Sequence, residues 1–398
     1  MLYLENDNRT IVHLDLDSFF VSVERLKNTS FIGKPLIVGG TSDRGVVASC
    51  SYEARAFGVR SAMPMRMAKT LCPDAIVIRG DMEMYSQFSN MVTQIIAEKA
   101  PLYEKASIDE HYLDITGLDK FFGCIKWTKE LRQCIIKNTG LPISFGLSAN
   151  KTVSKIATGE SKPNGELEII RGYEKGFLSP LSINKIPMVG EKTSGLLKNM
   201  GIEKISTLQQ MPIELLNNVL GENGIIIWKK ANGIDTNPVV PYSEKKSIST
   251  EETFDQDTID VIKLNNIIVS MTEKLAFQLR SEQKLTSCIT LKIRYSDFDT
   301  HTTQARIGYA SCDDVLIEKA KELFNKLYNR RLLVRLIGVR LSHFVRGGYQ
   351  INLFDDTEEK INLYQAMDKI NLKYGLKIHR ATSLDCYKAP KKPAGKKQ

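Results

Sequence analysis

Short apolar runs alternate with segments of helical periodicity over the first 150 residues, a pattern typical of an α/β domain. The run IVHLDLD, residues 11–17, alternates strictly and predicts a half-buried strand. Its two faces differ in character, with Val12, Leu14 and Leu16 on one and His13, Asp15 and Asp17 on the other. Because buried unpaired charges are costly, two carboxylates on one strand face are candidates for chemistry.

More strands and helices follow in the same part of the chain. The predicted strands are PLIVGG (35–40), RGVVASC (44–50), DAIVIRG (74–80) and PISFGLSA (142–149). The predicted helices cover about 18–27, 52–59, 64–71, 82–99 and 125–137, and another carries Lys151 and Lys155. We expect one mixed sheet flanked by helices.

The pattern changes near residues 166–187, and the chain is then predicted helical to about 232. The segment ANGIDTNPVVPYSEKKS (231–247) is rich in Pro, Asn and polar residues and indicates a linker. An α+β module follows, with predicted helices over 258–279 and 313–328 and strands CITLKIRY (288–295) and LVRLIGVRLSHF (333–344). The predicted divisions are 1–165, 166–235, a linker at 236–245, 246–347 and 348–398.

A second acidic pair lies in SIDEHYLD (107–114), where Asp109 and Glu110 fall at a turn between two predicted strands. If this hairpin lies beside the first strand, Asp15, Asp109 and Glu110 form one anionic cluster that needs a positive partner. Carboxylate oxygens without histidine suit Mg²⁺ or Mn²⁺, and two such ions stabilise phosphoryl or nucleotidyl transfer. The alternative for a lone D-x-D is a pair of solvated acids at a strand end.

Candidate phosphate donors occur in the same domain. Tyr52 and Arg55 are three residues apart on a predicted helix, so a hydroxyl and a guanidinium can hold one polyphosphate. Lys162 follows in the turn-forming segment SKPNG. Each residue alone is typical of a solvated surface, whereas their presence in one domain favours a shared anionic ligand.

The net charge of +9 favours a polyanionic partner, either nucleic acid or a membrane surface. Residues 323–354 contain no acidic residue but hold Lys326, Arg330, Arg331, Arg335, Arg340 and Arg346. The end of the sequence, KAPKKPAGKKQ, is typical of a disordered basic tail. No apolar stretch approaches the roughly 20 residues that span a bilayer, and no signal peptide is recognisable, so we expect a cytoplasmic protein without a membrane partner.

Four segments, in order, resemble the signatures of Y-family translesion DNA polymerases of the DNA polymerase IV type: HLDLDSFFVSVE, VVASCSYEARAFGVRSAMP, SIDEHYLDIT and KIATGESKPNG. The resemblance implies a right-hand polymerase of α/β and α+β domains. Residues 1–165 would form a mixed-sheet palm with small fingers, 166–235 a helical thumb and 246–347 an α+β little finger. The implied activity is low-fidelity, low-processivity addition of dNTPs to a primer 3′-OH on primer-template DNA, without proofreading and for damage tolerance.

The resemblance also assigns roles to single residues. It implies that Asp15, Asp109 and the Leu16 carbonyl hold two Mg²⁺ ions, for which Mn²⁺ can substitute, and that Glu110 completes the site. The implied contacts to the incoming triphosphate come from Tyr52, Arg55, Lys162 and Ser49. Asp17 is expected to be structural.

Two adjacent phenylalanines follow the first strand. Phe19 and Phe20 project about 100° apart from the first turn of a predicted helix, so they cannot share one role. We expect one ring to pack into the core and the other to face the sugar of the nucleotide. The resemblance implies that Phe20 is the sugar-facing ring, a steric gate against ribonucleotides.

Several segments are expected to bind DNA or a partner protein. INKIPMVGEKTSGLLKNMGI (183–202) fits a helix–hairpin–helix, in which Gly190 and Lys192 would meet a DNA phosphate. The basic residues expected on the DNA face of the little finger are Lys292, Arg294, Arg331, Arg335 and Arg340. The segment YQINLF resembles the peptide that docks on the replication sliding clamp, through Gln350, Leu353 and Phe354.

An amphipathic helix is predicted after this peptide, over about 358–375, with Ile361, Tyr364, Met367 and Tyr374 on one side. Comparable tails occur in polymerase V catalytic subunits. Whether the protein is used like polymerase IV or like a polymerase V catalytic subunit therefore stays open, as does a need for accessory subunits. We expect a monomer. The alternatives to a polymerase are another metal-dependent phosphotransferase, such as a nuclease or nucleotide cyclase, and a non-catalytic DNA- or clamp-binding module.

Overall fold

The computed structural model describes residues 9–118, 123–241, 244–347 and 357–374. The chain divides into two compact units, Met1–Ser243 and Glu244–Gln398. The division falls inside the range that the sequence predicts as a linker. Across the described ranges, no helix is both long enough and apolar enough to cross a membrane.

The first unit contains the α/β region and the helical region. Its strands are β1 (Ile11–Leu16), β2 (Leu36–Gly39), β3 (Val47–Cys50), β4 (Ile76–Ile78), β5 (Leu102–Lys105), β6 (Glu110–Asp114), β7 (Ile143–Ser148) and β8 (Glu166–Glu168). Its helices are α1 (Phe19–Lys27), α2 (Tyr52–Ala56), α3 (Met65–Leu71), α4 (Met82–Lys99), α5 (Cys124–Thr139), α6 (Lys151–Ser161), α7 (Glu174–Leu178), α8 (Glu191–Asn199), α9 (Ile205–Gln210), α10 (Ile213–Leu220) and α11 (Glu222–Ala231).

The prediction of a mixed sheet is confirmed, because the larger sheet contains parallel and antiparallel pairs, but the strands of this unit form two sheets and not one. The larger sheet has the order β5-β6-β1-β7-β8 and the smaller one β3-β2-β4. The smaller sheet has its own apolar core, which includes Ile37, Ala54 and Met65. Short apolar runs look alike whichever sheet they join, so the sequence pattern could not separate the two.

Strand β1 lies at the centre of the larger sheet because one of its faces is wholly apolar. Val12, Leu14 and Leu16 are buried and pack in one core with residues of α4 and α5. Helix α6 covers part of the other face, where the Nδ1 atom of His13 is hydrogen-bonded to Thr158 Oγ1 at 2.9 Å. The polar face of β1 therefore lies beside α6.

A glycine in β7 allows α6 to approach this closely. A Cβ atom on Gly146 would lie 2.2 Å from the carbonyl oxygen of Ser154 and 2.6 Å from the amide nitrogen of Thr158. Both distances are far below van der Waals contact, so any other residue would push the helix away from the sheet. Gly146 thus sets the distance between α6 and the polar face.

The helical region from α7 to α11 packs around a separate apolar core, as its sequence predicts. Fully buried members of this core include Ile183, Leu197, Leu208, Leu216 and Ile227. Helix α8 begins at Glu191, directly after the Pro-x-x-Gly turn.

The second unit is an antiparallel sheet with helices on one face. Its elements are β9 (Ser247–Thr258), α12 (Val261–Ser281), β10 (Lys284–Tyr295), β11 (Thr300–Ala310), α13 (Asp313–Leu327), β12 (Val334–Arg346) and α14 (Thr357–Tyr374). The strand order is β11-β10-β12-β9. Ile289, Leu291 and Ile293 of β10 pack in one core with residues of α12 and α13.

Two strands of this sheet were not predicted from the sequence. Both β9 and β11 lie at its edges, and both consist mainly of polar residues. In β9 only Ile248 and Phe254 are buried, and in β11 no residue is. A strand with so little apolar alternation gives no clear signal, because its pairing comes from backbone hydrogen bonds to a neighbouring strand.

Helix α14 packs on the rest of the second unit through a buried arginine of α12. Arg280 of α12 donates to both carboxylate oxygens of Asp368, at 2.7 and 2.9 Å, and to Asp313 at 2.6 Å. Tyr364 is 2% exposed, with the Arg280 guanidinium 4.9 Å from its ring centre. The predicted apolar side of this helix is therefore wrong in part, because Tyr374 is 53% exposed whereas the polar Asn371 is buried. The side chain of Ile361 lies outside the described residues.

Candidate active site

The two acidic segments meet where β1 and β6 pair. Asp15 of β1 is directly opposite Glu110 of β6 in the antiparallel register, which puts both side chains on the same face of the sheet. Asp109 immediately precedes β6, and its carbonyl oxygen accepts the amide of Leu16 at 3.1 Å. The predicted hairpin beside the first strand is confirmed, and it holds the three acids at one end of the sheet.

Each of the three carboxylates has a partner of its own. Lys162, directly after α6, places its ammonium 2.5 Å from Asp15. Lys155 in α6 holds both oxygens of Glu110, at 2.5 and 2.6 Å. The Ser107 hydroxyl donates to Asp109 at 2.5 Å.

These contacts explain the arrangement of the acids. Within the part of the chain that the structure describes, no three His, Cys, Asp or Glu side chains converge as a metal-binding group. Two ammonium groups instead neutralise Asp15 and Glu110. The donor set nevertheless fits a hard divalent cation, since it consists of carboxylate and carbonyl oxygens.

Burial and charge act differently on the acids. Burial raises the pKa of Asp15 to about 7, although Lys162 lowers it. Burial also raises the pKa of Glu110, but His13 and Lys155 outweigh it and hold the pKa well below its usual range. Because burial lowers the pKa of His13 itself to about 4, that ring is neutral near pH 7 and Lys155 supplies the positive charge. Asp15 is thus the acid whose ionised form burial disfavours, despite the Lys162 ammonium beside it.

A cleft of about 150 Å³ opens above this end of the sheet. Its lining includes these residues singled out in the sequence: Asp15, Leu16, Phe19, Phe20, Ser49, Arg55, Asp109 and Lys162. Glu110 and Tyr52 are not part of the lining, because Glu110 turns towards Lys155 and Tyr52 towards Asp17. The structure therefore brings most of the candidate metal, nucleotide and sugar contacts together in one concave site.

The two phenylalanines occupy different environments, as their angular separation requires. Phe19 is 2% exposed and belongs to the apolar core beneath the sheet. Phe20 is partly exposed, lines the cleft and stacks on Tyr85, with ring centres 4.3 Å apart. Both residues line the cleft, but of the two only Phe20 has a partly exposed side chain.

Residues Tyr52 and Arg55 lie together on α2. The Arg55 guanidinium is 4.7 Å from the centre of the Tyr52 ring. The Tyr52 hydroxyl donates to Asp17 at 3.4 Å, and burial raises the pKa of Tyr52 to about 12. Ser49 is buried in β3, beside this helix.

Asp17 is bonded to neighbouring protein groups. It is 2% exposed and accepts the Ser144 hydroxyl at 2.9 and 3.0 Å and the Asn164 amide at 2.7 Å. Asn164 is two residues beyond Lys162, so Asp17 fixes the turn that presents this lysine. These contacts are those of a structural residue.

Sequence reasoning missed three neighbours of the site. Lys155 was noted only as a cation on its helix, and neither Ser107 nor Tyr85 was singled out. The alternation of β1 already put His13 on the same face as Asp15, but partners from α4 and α6 depend on how those helices pack.

The candidate DNA contacts are distributed over both units. Gly190 caps α8 without a side-chain hydrogen bond, and Lys192 is exposed in its first turn. In the second unit, Lys292 and Arg294 lie on the face of β10 away from the helices, with Arg340 opposite Thr290 on the same face.

The remaining two arginines are placed differently from expectation. Arg331 precedes β12 and is not part of a strand. Arg335 is the extra residue of a β-bulge, because the ladder moves by one residue in β10 and by two in β12. Its guanidinium is 4.6 Å from the centre of the Phe298 ring. The clamp-peptide residues Gln350, Leu353 and Phe354 lie outside the described residues.

Comparison with known proteins gives a consistent assignment. Residues 14–159 match the model of the impB/mucB/samB family, and residues 245–353 match that of its C-terminal domain. A curated relative from Dehalococcoides mccartyi, named DNA polymerase IV, is 39% identical over 92% of this chain and 95% of its own length. One from Clostridioides difficile with the same name is 35% identical over 92% of this chain and 99% of its own.

Solved structures agree with the sequence relatives. A Y-family DNA polymerase chimera matches with a TM-score of 0.74 at 27% identity, over 85% of this chain and all of that one. DinB from Sulfolobus solfataricus matches with a TM-score of 0.59 at 28% identity, over the same shares.

Proposed function

The chain belongs to the Y-family of DNA polymerases, and from this premise we propose which of its residues carry out template-directed DNA synthesis. As a member of the family it is a low-fidelity translesion DNA polymerase that adds dNTPs to a primer without a proofreading exonuclease. The observation that carries the residue assignment is the cleft, whose lining includes two acids, two aromatic rings and two cations.

Y-family polymerases use divalent metal ions, and we assign these ions to the acidic end of the sheet. Asp15, Asp109 and the Leu16 carbonyl would hold two Mg²⁺ ions, with Glu110 beside them; Mn²⁺ would substitute. When bound, the ions stabilise the charge that develops during nucleotidyl transfer. Burial supports this assignment, because it disfavours the ionised form of Asp15 and raises its pKa, a cost that a bound divalent cation would offset.

The triphosphate would lie across the other side of the cleft. Arg55 offers a planar guanidinium suited to bidentate phosphate binding, and Lys162 offers a mobile ammonium. Tyr52 supports the Arg55 side chain through its ring, and Ser49 adds a hydroxyl. In this assignment Lys162 changes partner, from the Asp15 carboxylate to the phosphate, when a nucleotide binds.

Phe20 would select the sugar of the incoming nucleotide. Its partly exposed ring faces the cleft in which the nucleotide would lie. A flat ring against C2′ tolerates a hydrogen but clashes with a hydroxyl and offers it no hydrogen-bond partner. We therefore assign Phe20 as the steric gate.

Primer-template DNA would be held mainly through its backbone. The open N-terminus of α8 at Gly190, with Lys192, suits a phosphate contact that reads no sequence. Lys292 and Arg294 of β10 and Arg340 of β12 share one face of the sheet and would follow the DNA backbone. Arg331 and Arg335 lie near the start of β12 and would add to this contact. Binding of this kind is sensitive to salt.

We further propose that residues 349–354 dock on the replication sliding clamp, with Leu353 and Phe354 as apolar anchors and Gln350 bonded at the rim. The protein would act as a monomer in the bacterial cytoplasm, at the nucleoid. The support for clamp docking is the sequence of the peptide and its place after the last strand of the sheet.

Primer extension with the purified full chain tests the proposal. The expected result is Mg²⁺-dependent addition of the dNTP that the template specifies, on undamaged DNA and opposite template lesions. Cleavage of DNA, or cyclisation of a nucleotide, without templated addition would instead indicate another metal-dependent phosphotransferase. Extension that persists at the same rate when Asp15 is replaced by Asn would contradict the residue assignment.

A further inference from the structure

A second aromatic ring lies directly behind the proposed gate. Tyr85 of α4 stacks on Phe20 with ring centres 4.3 Å apart and planes 13° apart. Tyr85 is 0% exposed and is not part of the cleft lining, so it cannot touch a nucleotide. Any influence of Tyr85 on the reaction must pass through its neighbours, of which Phe20 is the ring stacked on it.

The Tyr85 hydroxyl is fixed at its far end by a carboxylate. It donates a hydrogen bond of 2.6 Å to Oε1 of Glu24, a side chain that is itself 5% exposed. Phe20 and Glu24 are four residues apart on α1 and so lie on one side of that helix. Tyr85 therefore spans both, with its ring on the phenylalanine and its hydroxyl on the glutamate.

Two more features restrict the tyrosine. Burial, and then the hydrogen bond to Glu24, raise the pKa of the Tyr85 hydroxyl far above its usual value, so the hydroxyl remains a donor. A Cβ atom at Gly80 would lie only 3.2 Å from the Tyr85 ring, so the chain there also packs tightly against it. The Tyr85 side chain is therefore restrained by the backbone at Gly80 as well as by Glu24.

A gate needs this restraint because its selectivity is a matter of distance. The phenylalanine side chain has no polar atom of its own to anchor it, and one of its faces is open to the cleft. Small displacements of a contact group are enough to change rates greatly at a reacting centre. A ring that could retreat would make room for a 2′-hydroxyl.

We propose that Glu24 and Tyr85 are positioning residues that hold the Phe20 ring against the sugar and so set discrimination between deoxyribonucleotides and ribonucleotides. The inference rests on the proposed gate and deepens it. The hydrogen bond to Glu24 supplies the stiffness, and the stacked ring transmits it.

The test compares kcat/KM for dNTP and rNTP of the same base in the full chain. Tyr85→Phe keeps the ring and removes the hydroxyl, and it should lower the dNTP/rNTP ratio about tenfold, mainly through a gain in rNTP use. Glu24→Leu should lower the dNTP/rNTP ratio in the same way. Glu24→Gln keeps a side-chain oxygen that accepts the hydrogen bond from the Tyr85 hydroxyl, so its ratio should stay near that of the parent. The matched control is Tyr295→Phe in the second unit, which also removes a hydroxyl from a buried tyrosine.

A double-mutant cycle separates positioning from general stability. In a Phe20→Ala background, Tyr85→Phe should cause no further loss of discrimination, because the ring on which it acts is gone. A further loss there, or an unchanged ratio in folded Tyr85→Phe, would overturn the inference. An equal fall in both rates, as expected of a residue that is only structural, would overturn it as well.

The same measurements distinguish this failure from failure of the proposed gate. If Phe20→Ala itself leaves the ratio unchanged, the gate assignment is wrong. If Phe20→Ala lowers the ratio and Tyr85→Phe does not, the gate stands and the positioning role is wrong.

Discussion

Ion pairs between single side chains hold the acidic residues in and beside the cleft. Lys162 lies 2.5 Å from Asp15, and Lys155 holds both oxygens of Glu110. A divalent cation bound at Asp15 would supply the same compensation more strongly and would lower the pKa of this carboxylate further. Metal binding and release of the Lys162 ammonium are therefore expected to favour one another.

The first prediction concerns the acids themselves. Asp109→Asn or Glu110→Gln removes a negative ligand at the proposed metal site, so primer extension should fall by at least about 100-fold. Primer-template affinity, measured by fluorescence anisotropy, should change little because it depends on cations elsewhere. Asp43→Asn, at an exposed acid, is the control. Near-parental extension by either variant would show that the acid is not required.

The second prediction contrasts the two adjacent phenylalanines. Phe20→Ala should strongly raise ribonucleotide incorporation relative to deoxynucleotide incorporation, because the ring no longer excludes a 2′-hydroxyl. Phe19→Ala removes a fully packed ring and should lower the free energy of unfolding by about 3–5 kcal/mol. Single-nucleotide incorporation and urea denaturation measure the two effects. If both variants changed ribonucleotide incorporation and the free energy of unfolding to the same extent, the assignment of Phe20 as gate and Phe19 as core residue would be wrong.

Among the elements, α6 does most to shape the site. It carries Lys155, and Lys162 follows its last residue, so its distance from the sheet positions both cations. In the second unit, helix α14 is fixed through Asp368.

The third prediction tests the contact between α6 and β7. Gly146→Ala places a Cβ atom 2.2 Å from a backbone oxygen of α6, so the helix must shift, at a cost of about 1–3 kcal/mol. Polymerase activity should fall too, since Lys155 and Lys162 move with the helix. Gly159→Ala is a matched control in α6 itself, because a Cβ there meets nothing within 4 Å. If urea denaturation gives both variants the same free energy of unfolding, the close-contact argument is wrong.

The fourth prediction concerns docking of α14. Asp368→Ala leaves the Arg280 guanidinium with only part of its compensation in a buried site, so α14 should detach more often. Hydrogen exchange of the α14 amides should accelerate, while β10 stays protected. Lys369→Ala, at the next, exposed position, is the control. Unchanged exchange in Asp368→Ala would show that the ion pair does not hold the helix.

At the scale of the whole molecule, the net charge of +9 and the sharing of candidate DNA contacts between the two units suit a protein that follows a polyanion. Contacts to the backbone tolerate any sequence and many lesions. They also release DNA readily at physiological salt, which makes a processivity partner useful.

The fifth prediction concerns that partner. Replacing Leu353 and Phe354 by Ala should abolish stimulation by the sliding clamp, since buried anchors of this kind contribute about 2 kcal/mol or more each. Synthesis without the clamp should remain distributive, as in the parent. Primer extension with and without loaded clamp measures the difference, and Asn352→Ala within the same peptide is the control. Undiminished stimulation would remove this peptide as the docking site.

Several features of the protein follow from its sequence alone. The alternation in IVHLDLD determined which face of β1 enters the core, because a strand has period two. The bounds predicted for α4 agree with those observed, since an uninterrupted helical pattern and a capping Asp81 specify them locally. The acidic hairpin was recognisable too, because the two acids fall at a turn between apolar runs.

Only the tertiary structure decided which elements meet. The separation of the two sheets, the polar edge strands β9 and β11 and the pairing of Glu110 with Lys155 have no local signal. The stacking of Tyr85 on Phe20 joins residues 65 positions apart through the packing of α4 on α1. Periodicity specifies the face of an element, whereas its partner depends on the shape and volume of the whole core, to which every element contributes.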